Sequence, residues 1–193
     1  MVGEKLKRAW LWLTRISRSR GFGVQSPNDY RFIRYVINEH WPYYQYEDLR
    51  QSFPDVDRVT RDLCQLYLRM ANDCQPAQFI ELTEDHPAFA AYVKAGCRAT
   101  ETKKGYYSEN DEEQKVVIVK MKADQSELLP QMMAHAAERS IIVMHGIYES
   151  KEARDAWEKA VLQERVGVAY DLYDCGLLLC VRRKYKKCYK INF

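Results

Sequence analysis

The sequence has no apolar run approaching the roughly 20 residues that a bilayer-spanning helix needs. Its first apolar stretch, Ala9 to Leu13, is too short for a signal-peptide core, and Arg15 follows it closely. Both absences predict a cytoplasmic protein without a transmembrane segment. Six cysteines are present, but no two form a CxxC pair, and the four histidines are scattered. That spacing speaks against a structural zinc site, which needs closely paired ligands. A disulfide framework does not suit a chain of this size without a secretion signal. The cysteines instead read as small buried hydrophobes in a reducing compartment. There is no P-loop, no GxSxG elbow and no HExxH pair. Glycine is scarce, and none lies between Gly23 and Gly96.

What is present is an ordinary globular mixture, 47% hydrophobic and 30% charged, in 193 residues. That length suits one domain with a small appendage. The net charge of +3 hides an asymmetry: residues 1–34 carry +6, residues 182–190 carry +6, and the remainder carries −9. Such basic ends read either as solvated faces or as a site for an anionic partner, nucleic acid included.

Residues 4–20 read as a basic amphipathic helix. Leu6, Ala9, Trp10, Leu13 and Ile16 share one face, with Lys7, Arg8, Arg15 and Arg18 opposite. The apolar stripe is expected to pack on the domain; a membrane-surface role is the alternative. Ser26-Pro27 has the chemistry of a helix start, cap then first turn. That helix is expected to run to His40, ahead of an aromatic loop over 43–53 that covers a core edge or stacks a ligand. A third helix is expected from about Asp55 to Asn72. From residue 78 onward strands and helices alternate, with strands at 78–82, 98–102, 115–121, 140–144, 166–172, 176–181 and 188–193. The run Val116-Val117-Ile118-Val119 suits a strand buried on both faces. The alternation is the signature of a mostly parallel α/β sheet covered on both sides, closing on an antiparallel C-terminal edge. Residues 1–75 read as a helical extension packed on an α/β domain over 76–193.

Several segments resemble one family. Arg20-Gly21-Phe22-Gly23-Val24-Gln25-Ser26-Pro27 is similar to the HGFGVHSP motif of a bacterial group of class I S-adenosylmethionine-dependent methyltransferase-like proteins, with Arg20 and Gln25 replacing its histidines. Ile141-Ile142-Val143-Met144 resembles that group's late apolar strand, Trp157 its inward helix tryptophan, and Asp171 and Gly176 its last strand pair. The resemblance implies a Rossmann-like methyltransferase fold. It implies S-adenosylmethionine as cofactor, if any is bound. It also marks Glu81, Thr83 and Glu101 as the positions nearest to cofactor residues. Glu81 matches the acid of an E-x-G-x-x-x-G loop, and Glu101, 20 residues on, sits where an acid can bind ribose hydroxyls.

The middle of the chain departs from that pattern. The loop Thr83-Glu84-Asp85-His86-Pro87 has no glycine, whereas close approach of backbone to a cofactor favours residues without a Cβ. Lys120 stands where the family tends to place an acid, and His145-Gly146 replaces an Asp-Asp pair, so a divalent metal is not expected. Residues 103–114 are short for a full strand and crossover, so one strand of the sheet is expected to be missing. His145, at the end of a buried strand, is the candidate general base, with Glu101, Lys120 and Tyr148 around it. Taken together, these features describe a divergent methyltransferase-like protein with a decayed cofactor loop, acting by binding or scaffolding. An active methyltransferase with an atypical loop and a nucleic-acid-binding module using the basic ends are the alternatives. A sheet edge left open by the missing strand would also allow a homodimer.

Overall fold

Successive residues of the buried strands enter opposite apolar clusters, and this sets the architecture. The computed structural model describes residues 10, 13–15, 23–83, 86–105 and 115–193. Phe79, Ile118, Ile141, Val143, Tyr170 and Leu177 enter one apolar cluster. Their neighbours Ile80, Val117, Val119, Ile142, Met144 and Leu178 enter a second. A sheet whose strands bury both faces must lie between two helical layers.

The sheet has seven strands: β1 (Gln78–Glu81), β2 (Glu101–Lys104), β3 (Val117–Lys122), β4 (Ile141–His145), β5 (Val166–Asp171), β6 (Cys175–Cys180) and β7 (Lys187–Lys190). Their order is β2-β1-β3-β4-β6-β5-β7. Pairings from β2 through β4 are parallel, β6 is antiparallel to both neighbours, and β7 runs parallel to β5. A parallel sheet with one antiparallel strand inserted near its C-terminal end is the Rossmann-like methyltransferase layout. Among the described residues no strand lies beyond β2, where the sequence implies a missing element. Both edge strands are largely exposed and carry lysines: Lys103 and Lys104 on β2, Lys187 and Lys190 on β7. Charged edges of this kind blunt edge-to-edge pairing.

One face is covered by α1 (Pro27–Phe32, continued by a π-turn over Ile33–Ile37), α3 (Arg58–Cys74) and α4 (Ala88–Gly96). The other is covered by a 3-10 turn (Ala123–Leu128), α5 (Leu129–His135) and α6 (Lys151–Val161). Helices from 1–75 and strands from 76–193 share the first apolar cluster. Ser26 caps α1 by accepting from the Asp29 amide at 3.3 Å, with Pro27 in the first turn. Asp57 caps α3 in the same way. The buried Arg69 of α3 donates to the Val36 and Ile37 carbonyls that end the π-turn.

Three expectations are corrected. The aromatic stretch contains a helix, α2 (Gln45–Ser52). None of its residues is fully buried, and Tyr46 and Leu49 alone give it a short, half-buried apolar stripe. It is held by Glu47 paired with Arg50 and bonded to Gln51. Tyr43, Tyr46 and Phe53 pack on the core, while Trp41 and Tyr44 face solvent. Strand β2 begins at Glu101, three residues later than the sequence suggests. In the N-terminal helix, only partly within the described residues, Trp10 and Leu13 are exposed and Arg15 is buried. That inverts the expected face, because Arg15 finds buried acceptors that outweigh the apolar stripe.

Five of the six cysteines are buried thiols, and Cys188 is exposed. Gly176 on β6 faces the buried Trp157 of α6, and a Cβ there would lie 2.2 Å from its ring. Gly176→Ala is therefore expected to cost about 1–3 kcal/mol by overpacking. Urea unfolding measures it, and adding Trp157→Phe should recover part of the loss.

Candidate functional site

In open α/β sheets ligands bind beyond the carboxyl ends of the strands, where the strand order reverses. Here the chain passes from β1 outward to β2 and then returns to β3 on the other side of β1. The crevice between the ends of β1 and β3 is therefore the first place to look. Glu81 ends β1 and is in register with Lys120 of β3. The period of two aims Glu81, Lys120 and His145 at the same layer as α3 and α4.

Lys120 is fully buried. Its ammonium donates to the Thr83 carbonyl at 2.7 Å, lies 3.6 Å from Glu81 Oε1, and sits 4.5 Å from the centre of the Phe89 ring. Carboxylate, carbonyl and aromatic face together are what a desolvated cation requires. The start of the loop is also tied to the segment after β3. Thr83 Oγ1 donates to Gln125 Oε1 at 2.8 Å, and Gln125 Nε2 donates to the Leu82 carbonyl at 3.2 Å. At the far end of the loop, the His86 ring accepts from the Ala88 amide at the start of α4.

His145 lies next to this cluster. Its Nε2 shares a 2.9 Å hydrogen bond with the Tyr67 hydroxyl, and its ring meets Phe89 edge-on. Phe89 thus contacts both the Lys120 ammonium and the His145 imidazole. Tyr148 and Glu101, expected beside His145, are elsewhere. Glu101 opens β2 rather than ending it and is in register with Gln78. That places it three residues, about 10 Å, from the carboxyl edge. There it accepts from Gln78 Nε2 and pairs loosely with Lys103. Lys104, not Glu101, ends β2.

Tyr148 belongs to a separate cluster at the end of β5. The Asp171 carboxylate is fully buried and accepts from Tyr148, Arg15 and Arg154 at 2.7, 3.1 and 3.0 Å. Arg15 also donates to the Asp171 and Ile191 carbonyls and lies over the Tyr148 ring. Burial pushes the Asp171 carboxyl up, but the Tyr148 hydrogen bond and the two arginines outweigh it and hold it below the usual carboxylate range. Burial and the same hydrogen bond push the Tyr148 phenol up to about 12. Sequence reasoning singled out Asp171 but not its partners. Arg15 reads as a solvated residue, and Tyr67 and Gln125 carry no motif.

Among the described residues no group of His, Cys, Asp or Glu is arranged to hold a metal ion, and no helix is long and apolar enough to cross a membrane. No protein-family model matches the sequence, and no curated protein matches it significantly. Two solved structures are similar at low identity. One is the O-methyltransferase TomG from Streptomyces achromogenes, in complex with SAM: TM-score 0.49, 11% identity, covering 74% of this chain and 92% of that one. The other is an O-methyltransferase from Bacillus cereus, in complex with SAH: TM-score 0.49, 12% identity, covering 77% and 96%. The fold class rests on the strand order above, independently of these likenesses.

Proposed function

We propose that this chain is a divergent methyltransferase-fold protein whose cofactor crevice is filled by its own Lys120, and that it acts by binding rather than by methyl transfer. The buried Lys120 ammonium carries this reading. S-adenosylmethionine, the cofactor the resemblance implies, is itself a cation. It would compete for the carboxylate of Glu81 and the Thr83 carbonyl that Lys120 already holds. The crevice residues as they stand do not fit it. The glycine-free loop supports the same reading, since Gln125 ties its first residues to the neighbouring strand.

A second reading is a working S-adenosylmethionine-dependent methyltransferase with an atypical loop. The half-buried His145, bonded to Tyr67 at the carboxyl end of β4, favours it as a general base. Calorimetric titration with S-adenosylmethionine and S-adenosylhomocysteine separates the two. The first reading expects no heat and no thermal shift at millimolar ligand. Micromolar binding, about −8 kcal/mol, would overturn it in favour of the second.

A further inference from the structure

The opposite edge of the sheet, at the amino ends of the parallel strands, carries a cluster of basic residues. Two clefts of about 500 and 470 Å³ adjoin there. They share Glu138, Val181, Arg182 and Arg183, so they form one groove running past the end of β6. Arg31 and Arg183 are neutralised within it: Arg31 by Asp73, and Arg183 by Asp29, which also accepts from Tyr189. Among the groove's other cations, Arg165 donates to the Ala134 and Ala136 carbonyls. Arg139 is oriented by the Asp73 carbonyl, Lys186 by the Leu162 and Gln163 carbonyls, and the exposed Arg182 guanidinium has no hydrogen-bond partner among the described residues. Exposed Lys184 in the β6–β7 connection and Lys187 at the start of β7 extend the charge. Within the groove, the buried Tyr170 hydroxyl has no hydrogen-bond partner among the described residues.

We propose that this groove binds the phosphate backbone of single-stranded nucleic acid. The cations are spread along a concave path instead of converging on one point, which suits a ligand with repeated charges. Arg139 and Arg182 contribute planar forks that match phosphate oxygens. Tyr185 is 68% exposed under the Lys184 ammonium and offers a face on which an unpaired base can stack. A bilayer would instead need a convex apolar surface to insert. The proposal is independent of the cofactor crevice, which lies at the other edge.

The test is fluorescence anisotropy of a labelled 12-nucleotide oligouridylate across a salt series, using the full chain. Log affinity is expected to fall linearly with log salt, with a slope near −3 for about four or five contacts at roughly −0.7 each. Arg182→Glu with Lys184→Glu should weaken binding at least tenfold. Arg58→Glu with Lys94→Glu, equal charge changes on other faces, should have little effect. Tyr185→Ala should weaken oligouridylate but not inorganic polyphosphate. No binding at about 50 mM salt would overturn the proposal. So would equal losses in the two double variants, or tighter binding to polyphosphate or to anionic vesicles than to the oligonucleotide.

Discussion

Lys120→Met is expected to destabilise the protein by about 3–5 kcal/mol, the range for removing one partner of a buried ion pair. Methionine keeps the length and most of the volume of the side chain, so the loss isolates the charge. The variant leaves the 6%-exposed Glu81 without the lysine's counter-charge and the Thr83 carbonyl without its donor. Adding Glu81→Gln to the same chain should restore much of the loss, because a neutral amide no longer needs an ammonium beside it. Urea unfolding of the four members of this cycle measures the coupling. A coupling near zero would mean that Lys120 and Glu81 are independent, and that the crevice is not closed by their pair. The same variants bear on function. If Lys120 occupies the place of a cationic cofactor, Lys120→Met with Glu81 intact is the form most able to admit S-adenosylmethionine, and the wild type should not.

The layers and most strands are legible because strands buried on both faces read as continuous apolar runs. The runs at 116–119 and 141–144 gave buried strands, and their alternation with helices gave a parallel sheet. Strand β2 was placed three residues early because it is a mostly exposed edge with little apolar pattern. That shift alone moved Glu101 from the carboxyl end of the sheet to the amino end. Helix α2 is hard to read for a similar reason: it is short, and its apolar stripe is only Tyr46 and Leu49, both half-buried. Of the candidate site, the family resemblance points to Glu81 and Lys120, and the end of a buried strand points to His145. The site was not legible at Tyr67 and Gln125, whose roles exist only once α3 and the 3-10 turn are folded against β1, β3 and β4. Arg15 shows the limit of periodicity most clearly. Helical spacing assigned it to the solvated face, but one buried carboxylate, 156 residues away in sequence, reverses that assignment.

Asp171→Asn should be as damaging at neutral pH as Lys120→Met, about 3–5 kcal/mol, because one buried carboxylate serves two arginines and a phenol. Asparagine can still accept from Tyr148, so the loss reports mainly on charge. The pH dependence gives a second readout. The Asp171 carboxyl is held below its ordinary value in the folded protein. Its stabilising contribution is therefore complete above the unfolded carboxyl's pKa, about 3.9, and disappears as pH falls through the folded value. The gap between wild type and Asp171→Asn should be constant from neutrality down to about pH 5 and close progressively below pH 4. A gap that stays unchanged at pH 3 would mean that the loss comes from packing and not from the ionised carboxylate. Arg15→Met should be strongly non-additive with Asp171→Asn, since both remove the same contact. The Arg15 variant also tests whether the N-terminal helix is held at this edge: hydrogen exchange of the Leu13–Arg15 amides should rise in both single variants, and by no more in the double. Additive losses would separate the helix from Asp171 and leave the cluster as a pairing of β5 with Tyr148 and Arg154 alone.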